Sequence, residues 1–271
     1  MERGEDVEKA ISQINAFLYY STIVGQIPEL HYILLGNPIL LKLLNSSHPT
    51  IQFTERSIKE REENKFVAKS APDFLTSFRK IHNEKPDHFS SQDIFLSAAA
   101  NVFAGSDTTA ISFRAVIHQL LTHSDCLAKL RDEIDRCERE GIISERITFN
   151  EANNMPYLQA CIKESLRLHP AVGMCLERYV PRGGAVICGR HLPEGTIVGA
   201  NPWVAGRDPA VYGKDALEFK PERWIEAEAE QLRVMERNFL VFGAGARICI
   251  GRYISLMVLY SSTDPRGYWS S

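Results

Sequence analysis

One loop near the C-terminal end constrains this chain more than any other stretch. It reads Asn238-Phe-Leu-Val-Phe242-Gly-Ala-Gly245-Ala-Arg247-Ile-Cys249-Ile-Gly251-Arg252. A short apolar run, Phe239 to Phe242, breaks into a loop holding Gly243, Gly245 and Gly251. Beyond Gly251 the pattern turns helical, with Ile254, Met257 and Val258 spaced to share one face. Cys249 therefore sits between a glycine loop and a helix start. Outward-pointing N–H groups and the positive end of a helix dipole favour an anion there. The cysteine is thus placed to act as a thiolate, as ligand or nucleophile. Arg247 adds a fixed cation able to pair with a carboxylate, and the glycines let a flat group approach the backbone where no Cβ intervenes. Taken alone, the loop is better read as a small buried cysteine in a turn.

Composition narrows the classes. A chain of 271 residues, 44% hydrophobic and 24% charged, can bury a sizeable core and is not disordered by composition. A net charge of −3 gives no reason to expect nucleic-acid binding. The six cysteines lack paired spacing, so neither a zinc ribbon nor a disulfide scaffold is indicated, and a reducing compartment is the simpler expectation. No apolar run reaches the roughly 18 residues of a membrane span, and the acidic start Met1-Glu-Arg-Gly-Glu-Asp is not a signal peptide.

Between Pro86 and Pro156 there is no proline, which permits long helices. Ser90 with Asp93 makes an N-cap, and an apolar segment runs from Ile94 to about Leu121. Apolar nearly all round, it is expected to be buried. Inside it, Ala104-Gly105-Ser106-Asp107-Thr108-Thr109 breaks the local rule, which is typical of functional sites. An interior glycine costs about 1 kcal/mol against alanine, and a buried acid costs more unless partnered. Gly105 thins the helix, Thr108 can bond back to the Ala104 carbonyl, and Asp107 with Thr108 forms an acid–alcohol pair able to pass protons. A polar patch facing another part of the protein explains the same residues.

The remaining segments are placed more coarsely. Asp6 to Tyr20 reads as a helix, Glu55 to Lys65 as a solvated charged face, and Pro72 to Ile81 as a short amphipathic piece. Leu127 to about Glu140 turns Leu127, Leu130 and Ile134 inward, and Thr148 with Glu151 has capping-box form. Tyr157 to Leu168 reads as a helix ending before His169-Pro170. Its Glu164 and Arg167 share a face amid apolar neighbours and need a further partner; Arg223, in Phe219-Lys-Pro-Glu-Arg-Trp224, is the candidate. Ala185–Cys188 and Thr196–Ala200 flank Arg190–Gly195 as a hairpin by its turn residues. His169 and His191 read as structural or exposed.

Phe-Gly-x-Gly-x-Arg-x-Cys-x-Gly, Ala-Gly-x-Asp-Thr-Thr, Glu-x-x-Arg and the Pro-Glu-Arg-Trp region, in this order along the chain from the second to the last and with the first closing it, together resemble the cytochrome P-450 family. The wording around them is most like fungal microsomal members of secondary metabolism. The resemblance implies a mainly α fold with minor β: a long buried distal helix, the Glu-x-x-Arg helix, a small hairpin, and the cysteine loop followed by a helix. It covers roughly residues 1–259, the C-terminal half of a full member, read as one incomplete domain with an atypical tail over about 260–271. The missing upstream half and the tail are what a truncated or misread gene model would produce.

For function, the resemblance implies haem b (iron protoporphyrin IX) with Cys249 as the axial iron ligand. Ala104, Gly105, Phe242, Gly243 and Gly251 would lie against the haem, and Arg178 and Arg247 would hold its propionates. Asp107 and Thr108 would relay protons for a monooxygenase that takes one oxygen atom from O2 and electrons from NADPH through a separate reductase. Phe103, Val172 and Met174 would meet a small lipophilic substrate, while Glu164, Arg167 and Arg223 brace the fold. A full-length member is expected at the cytosolic face of the endoplasmic reticulum membrane. Two rival readings are a non-catalytic fragment without stable haem and a haem-thiolate isomerase or dehydratase.

Overall fold

The computed structural model describes residues 10–37, 49–63, 73–144 and 147–263. Among them the chain is mainly helical, with two small antiparallel sheets, as the sequence led us to expect. It forms two compact units, Met1–Ala104 and Gly105–Ser271.

The first unit holds α1 (Ala10–Val24), α2 (Glu29–Ile33), α3 (Pro49–Glu63), α4 (Phe74–Glu84) and the start of α5 (Ser91–Thr122). Its helix starts are set by local chemistry. Asp73 caps α4 by accepting from the Thr76 N–H at 2.8 Å. At α5, Asp93 accepts from the Ser90 N–H at 2.8 Å while the Ser90 hydroxyl accepts from the Asp93 N–H at 3.2 Å, a reciprocal cap. The charged run expected to be solvated forms much of α3, where Arg79 of α4 reaches Glu62 at 2.9 Å. The first residues of the helix expected from Asp6 and the end of the charged run expected to Lys65 lie outside the described residues.

The second unit takes the rest of α5, α6 (Ser124–Arg139), α7 (Phe149–Ala152), α8 (Pro156–Leu168), four strands, three short helices α9 (Pro202–Ala205), α10 (Pro209–Tyr212) and α11 (Arg223–Glu226), then α12 (Ala229–Asn238) and α13 (Arg252–Ser262). Its main core joins Val116 and Leu120 of α5, Leu130 and Ile134 of α6, Leu158, Ile162 and Leu166 of α8, and Leu259 of α13. Each such side chain contributes about 1.5–3 kcal/mol by leaving water. A second cluster gathers Val211, Tyr212, Ala216, Trp224 and Met235 behind α8.

Two expectations need correction. Helix α5 is not buried all round: its buried positions are Ser112, Ala115, Val116 and Leu120, all in the C-terminal half. The core elements of the second unit pack only there, so the preceding turns keep their apolar side chains half-covered or exposed. The hairpin is also paired differently. Strand β2 (Ala185–Ile187) turns directly into β3 (Arg190–Leu192), while β4 (Ile197–Ala200) pairs with β1 (Leu176–Tyr179), Arg178 opposite Val198. The tight turn is possible because Cys188 and Gly189 both adopt positive φ, 50° and 74°. Two successive left-handed residues give the twist a two-residue hairpin needs.

Candidate active site

The loop before α13 is shaped by its own backbone. Gly243 and Gly245 stand at φ 73° and 67°, a region where any side chain is strained. The Cys249 N–H donates to the Phe242 carbonyl at 2.8 Å, closing the loop on itself. Phe242 is half-buried against the main core, which anchors the loop's entry. Cys249 itself is exposed, three residues ahead of the first residue of α13, and Gly251 is that helix's N-cap. A Cβ at Gly251 would come to 3.9 Å from the Cys249 sulfur. No described residue pairs with the exposed Arg247 guanidinium.

The other cysteines differ. Cys126, Cys137 and Cys161 are buried, and burial pushes each thiol's pKa above its ordinary value. Such thiols are inert packing groups. Cys175 and Cys188 are exposed, as Cys249 is, but only Cys249 stands at a glycine loop running into a helix.

In the second unit, α5 enters at Gly105, where a Cβ would meet no atom within 4 Å. Packing within the described protein therefore does not require a glycine there. Asp107 is half-buried, and its carboxylate has no partner among the described residues. A half-buried acid with no local partner calls for an explanation beyond stability. Thr108 is half-buried beside it; one turn on, the buried Ser112 hydroxyl donates to the Thr108 carbonyl at 2.9 Å. The neighbouring Thr109 hydroxyl donates to Ser255 of α13 at 3.3 Å, linking this segment to the helix that follows the cysteine loop.

Behind the loop lies a buried ionic cluster. Glu164 is fully buried and accepts from Arg167 at 2.7 and 2.8 Å and from Arg223 at 2.9 Å. The Trp224 indole N–H and the Lys220 N–H complete its shell at 2.8 and 3.1 Å. Arg167 also donates to the carbonyls of Gly206, Ala216 and Glu218, and Arg223 to those of Tyr212 and Asp215. Burial works against the Arg223 charge, but Glu164 and Asp215 together outweigh it and hold the pKa of Arg223 above its usual value. Two buried cations thus tie α8 to the loops around α10 and α11, and Trp224 passes the order on by an edge contact to Phe239, 5.5 Å between ring centres, just ahead of the cysteine loop.

The remaining candidates are more open. Arg178 is exposed on β1, its guanidinium on the Glu177 carbonyl at 2.6 Å. Val172 and Met174 are exposed, and Phe103, in the first unit, packs edge-on against Phe17 at 5.8 Å. Ala104 is exposed at the end of that unit. Sequence reading missed three supports: Asp215 beside Arg223 at 3.1 Å, the Thr109–Ser255 link, and Glu133, which accepts from the Tyr157 and Leu158 N–H groups at 2.9 Å each. The signal for Glu133 was available. Helix α8 starts at Pro156 with Met155 as its N-cap, which offers no capping side chain, and Glu133 stands on the inward face of α6.

Comparison with known proteins identifies the family. The family model described as Cytochrome P450 matches residues 1–260. A cytochrome P450 monooxygenase of Aspergillus terreus is 35% identical over 96% of this chain and 54% of its own length. Cytochrome P450 monooxygenase cicH of Emericella nidulans is 37% identical over 96% of this chain and 52% of its own. Pisatin demethylase of Fusarium vanettenii is 35% identical over 95% and 49%. The chain belongs to the cytochrome P450 family, and it spans about half the length of these relatives. The family's cofactor is haem iron, and the donor set here fits it: one exposed thiol on a glycine loop, two exposed arginines able to meet carboxylates, and a glycine on α5 whose missing side chain no described protein atom replaces.

Proposed function

We propose that this chain is the haem-binding part of a monooxygenase that places one oxygen atom from O2 into a small lipophilic molecule, a secondary metabolite by the company of its relatives. The observation that carries the reading is Cys249, exposed on a left-handed glycine loop at the head of α13, in the same compact unit as Asp107, which has no partner among the described residues. Haem, when bound through a cysteine thiolate, supplies the activation of O2.

The chain's own groups would do the rest. The Cys249 thiolate would hold the haem iron, and Phe242, Gly243 and Gly251 would let the cofactor approach the loop. Arg247 and Arg178 would take the propionates as charge-assisted pairs. Ala104 and Gly105 would give the α5 side its flat surface. Asp107, open to solvent on one side, would take up a proton, and the Thr108 hydroxyl would hand one on, a general-acid relay. Phe103, Val172 and Met174 would offer apolar contact to substrate. Glu164, Arg167 and Arg223 touch none of this chemistry and hold the loop's support. All of it reads as a single, incomplete domain of a protein whose electrons come from an NADPH-dependent reductase at the endoplasmic reticulum.

The test is spectroscopic. The chain expressed with added haemin, then reduced under carbon monoxide, should show the red-shifted Soret band of thiolate ligation, and Cys249→Ala should abolish it. A colourless protein, or a band that survives the substitution, would overturn the assignment.

A further inference from the structure

We propose, resting on the haem reading above, that Thr109 is a positioning residue: its hydroxyl, on Ser255, sets how the acid–alcohol turn of α5 stands relative to the Cys249 loop. The two motifs are 142 residues apart along the chain, from Asp107 to Cys249, and something must fix their relation. Core packing reaches the entry of the cysteine loop at Phe242 and α13 at Leu256, but not the turn of α5 that carries Asp107 and Thr108. The buried positions of α5 begin at Ser112, and those of α13 begin at Leu259. The turn carrying Asp107 and Thr108, and the first turn of α13, both lie outside that core.

The Thr109–Ser255 contact bridges this gap. Thr109 follows Thr108 and is rotated by about 100° around the helix, so its side chain points away from the face of its neighbour. Ser255 lies in the first turn of α13, its own N–H donating to the Gly251 carbonyl at 2.9 Å, which ties it to the cap next to Cys249. Both hydroxyls are half-buried. At 3.3 Å the bond is longer than the usual O–H···O distance of about 2.7–2.8 Å, so it adds little to folding. A contact this weak is poorly explained as a stability device. It is well explained as a spacer between two segments that must face a common ligand.

Haemin titration tests this, with the 271-residue chain and its Thr109→Val, Ser255→Ala, doubly substituted and Thr109→Ser forms. Thr109→Val and Ser255→Ala should each weaken haemin uptake about three- to tenfold, the scale of one weak hydrogen bond, and lower the share of thiolate-type Soret band after reduction under carbon monoxide. The double variant should be no worse than either single one, because the partners act as a unit. Thr109→Ser should restore the native values, and haem-free melting temperatures should stay together across the set. Equal uptake and equal spectra in wild type and Thr109→Val would overturn the positioning role alone. Additive losses, or losses that track a lower haem-free melting temperature, would overturn it as well. A wild-type chain that takes up no haemin would overturn the haem reading itself, and this role with it.

Discussion

At the scale of single residues, the contrast between Glu164 and Asp107 is the most informative. Both are acids in helices near the proposed site. Glu164 is wholly desolvated and every side of it is satisfied: two arginines, an indole and a backbone N–H. Desolvating such ions costs several kcal/mol each, and full pairing is what offsets it. Removing one member leaves buried cations without a counter-charge. Glu164→Ala should therefore lower the unfolding free energy by about 3–5 kcal/mol, read from urea denaturation, whereas a change below about 1 kcal/mol would show that the cluster does not brace the fold. Asp107, by contrast, is half-buried and has no partner among the described residues, so nothing described here accounts for it as a bracing group. The sequence showed this difference only indirectly. Glu-x-x-Arg within apolar neighbours signalled a buried pair, but the carbonyls that complete Arg167 come from residues 206, 216 and 218, which no local pattern connects to it.

At the scale of elements, helix starts and periodic helices were legible, and pairings across loops were not. The reciprocal caps at Ser90–Asp93 and Thr148–Glu151 involve residues three apart, so the motif itself contains both partners. The strand pairing was misread because Cys188 adopts φ 50°, which a cysteine rarely does, and the two-residue turn it makes with Gly189 was hidden by the more conspicuous Pro193-Glu194-Gly195. Helix α8 shows the same limit. Its N-cap, Met155, gives no side-chain bond, and two N–H groups of the first turn are taken by Glu133 from the middle of α6. One carboxylate thus serves as a cap at a distance and pins α6 to the helix that carries the ionic cluster. Glu133→Ala should cost about 1–3 kcal/mol, the penalty of leaving such groups unpaired, with amide exchange rising first at Tyr157 and Leu158. Unchanged exchange there would show that water replaces the cap without loss.

At the scale of the whole molecule, these paired and buried groups bound the pH range in which the chain is stable. Below neutrality the first contribution comes from His169, whose pKa lies under its ordinary value because of burial and then the charges of Arg207, His118 and Arg114. A base depressed in the folded state takes its proton more readily when unfolded, so its contribution is complete above about pH 6.5 and fades as the pH drops. The carboxylates follow. Burial opposes the charged form of both Asp215 and Glu222, but Lys220 with Arg223 at the first, and Lys129 with a backbone and a Tyr157 hydrogen bond at the second, outweigh it and hold both below the usual range. Their share is present above about pH 4 and is lost as the pH falls further. The alkaline side is set by different chemistry. Cys126, Cys137 and Cys161 are buried thiols with raised pKa, so the unfolded chain ionises first, from about pH 8.5, and stability declines as the pH rises past that value. Tyr212, pushed up to about 12 by burial, extends the same decline to higher pH. Thermal melts under reducing conditions should thus give a maximum between about pH 6.5 and 8.5, a shallow acid shoulder that steepens near pH 4, and an alkaline limb that Cys161→Ala makes shallower. An alkaline limb that begins only above pH 10, or that ignores the cysteine substitution, would mean that the three thiols are not held neutral by the core that packs α6 against α8, and the account of that core would have to be redrawn.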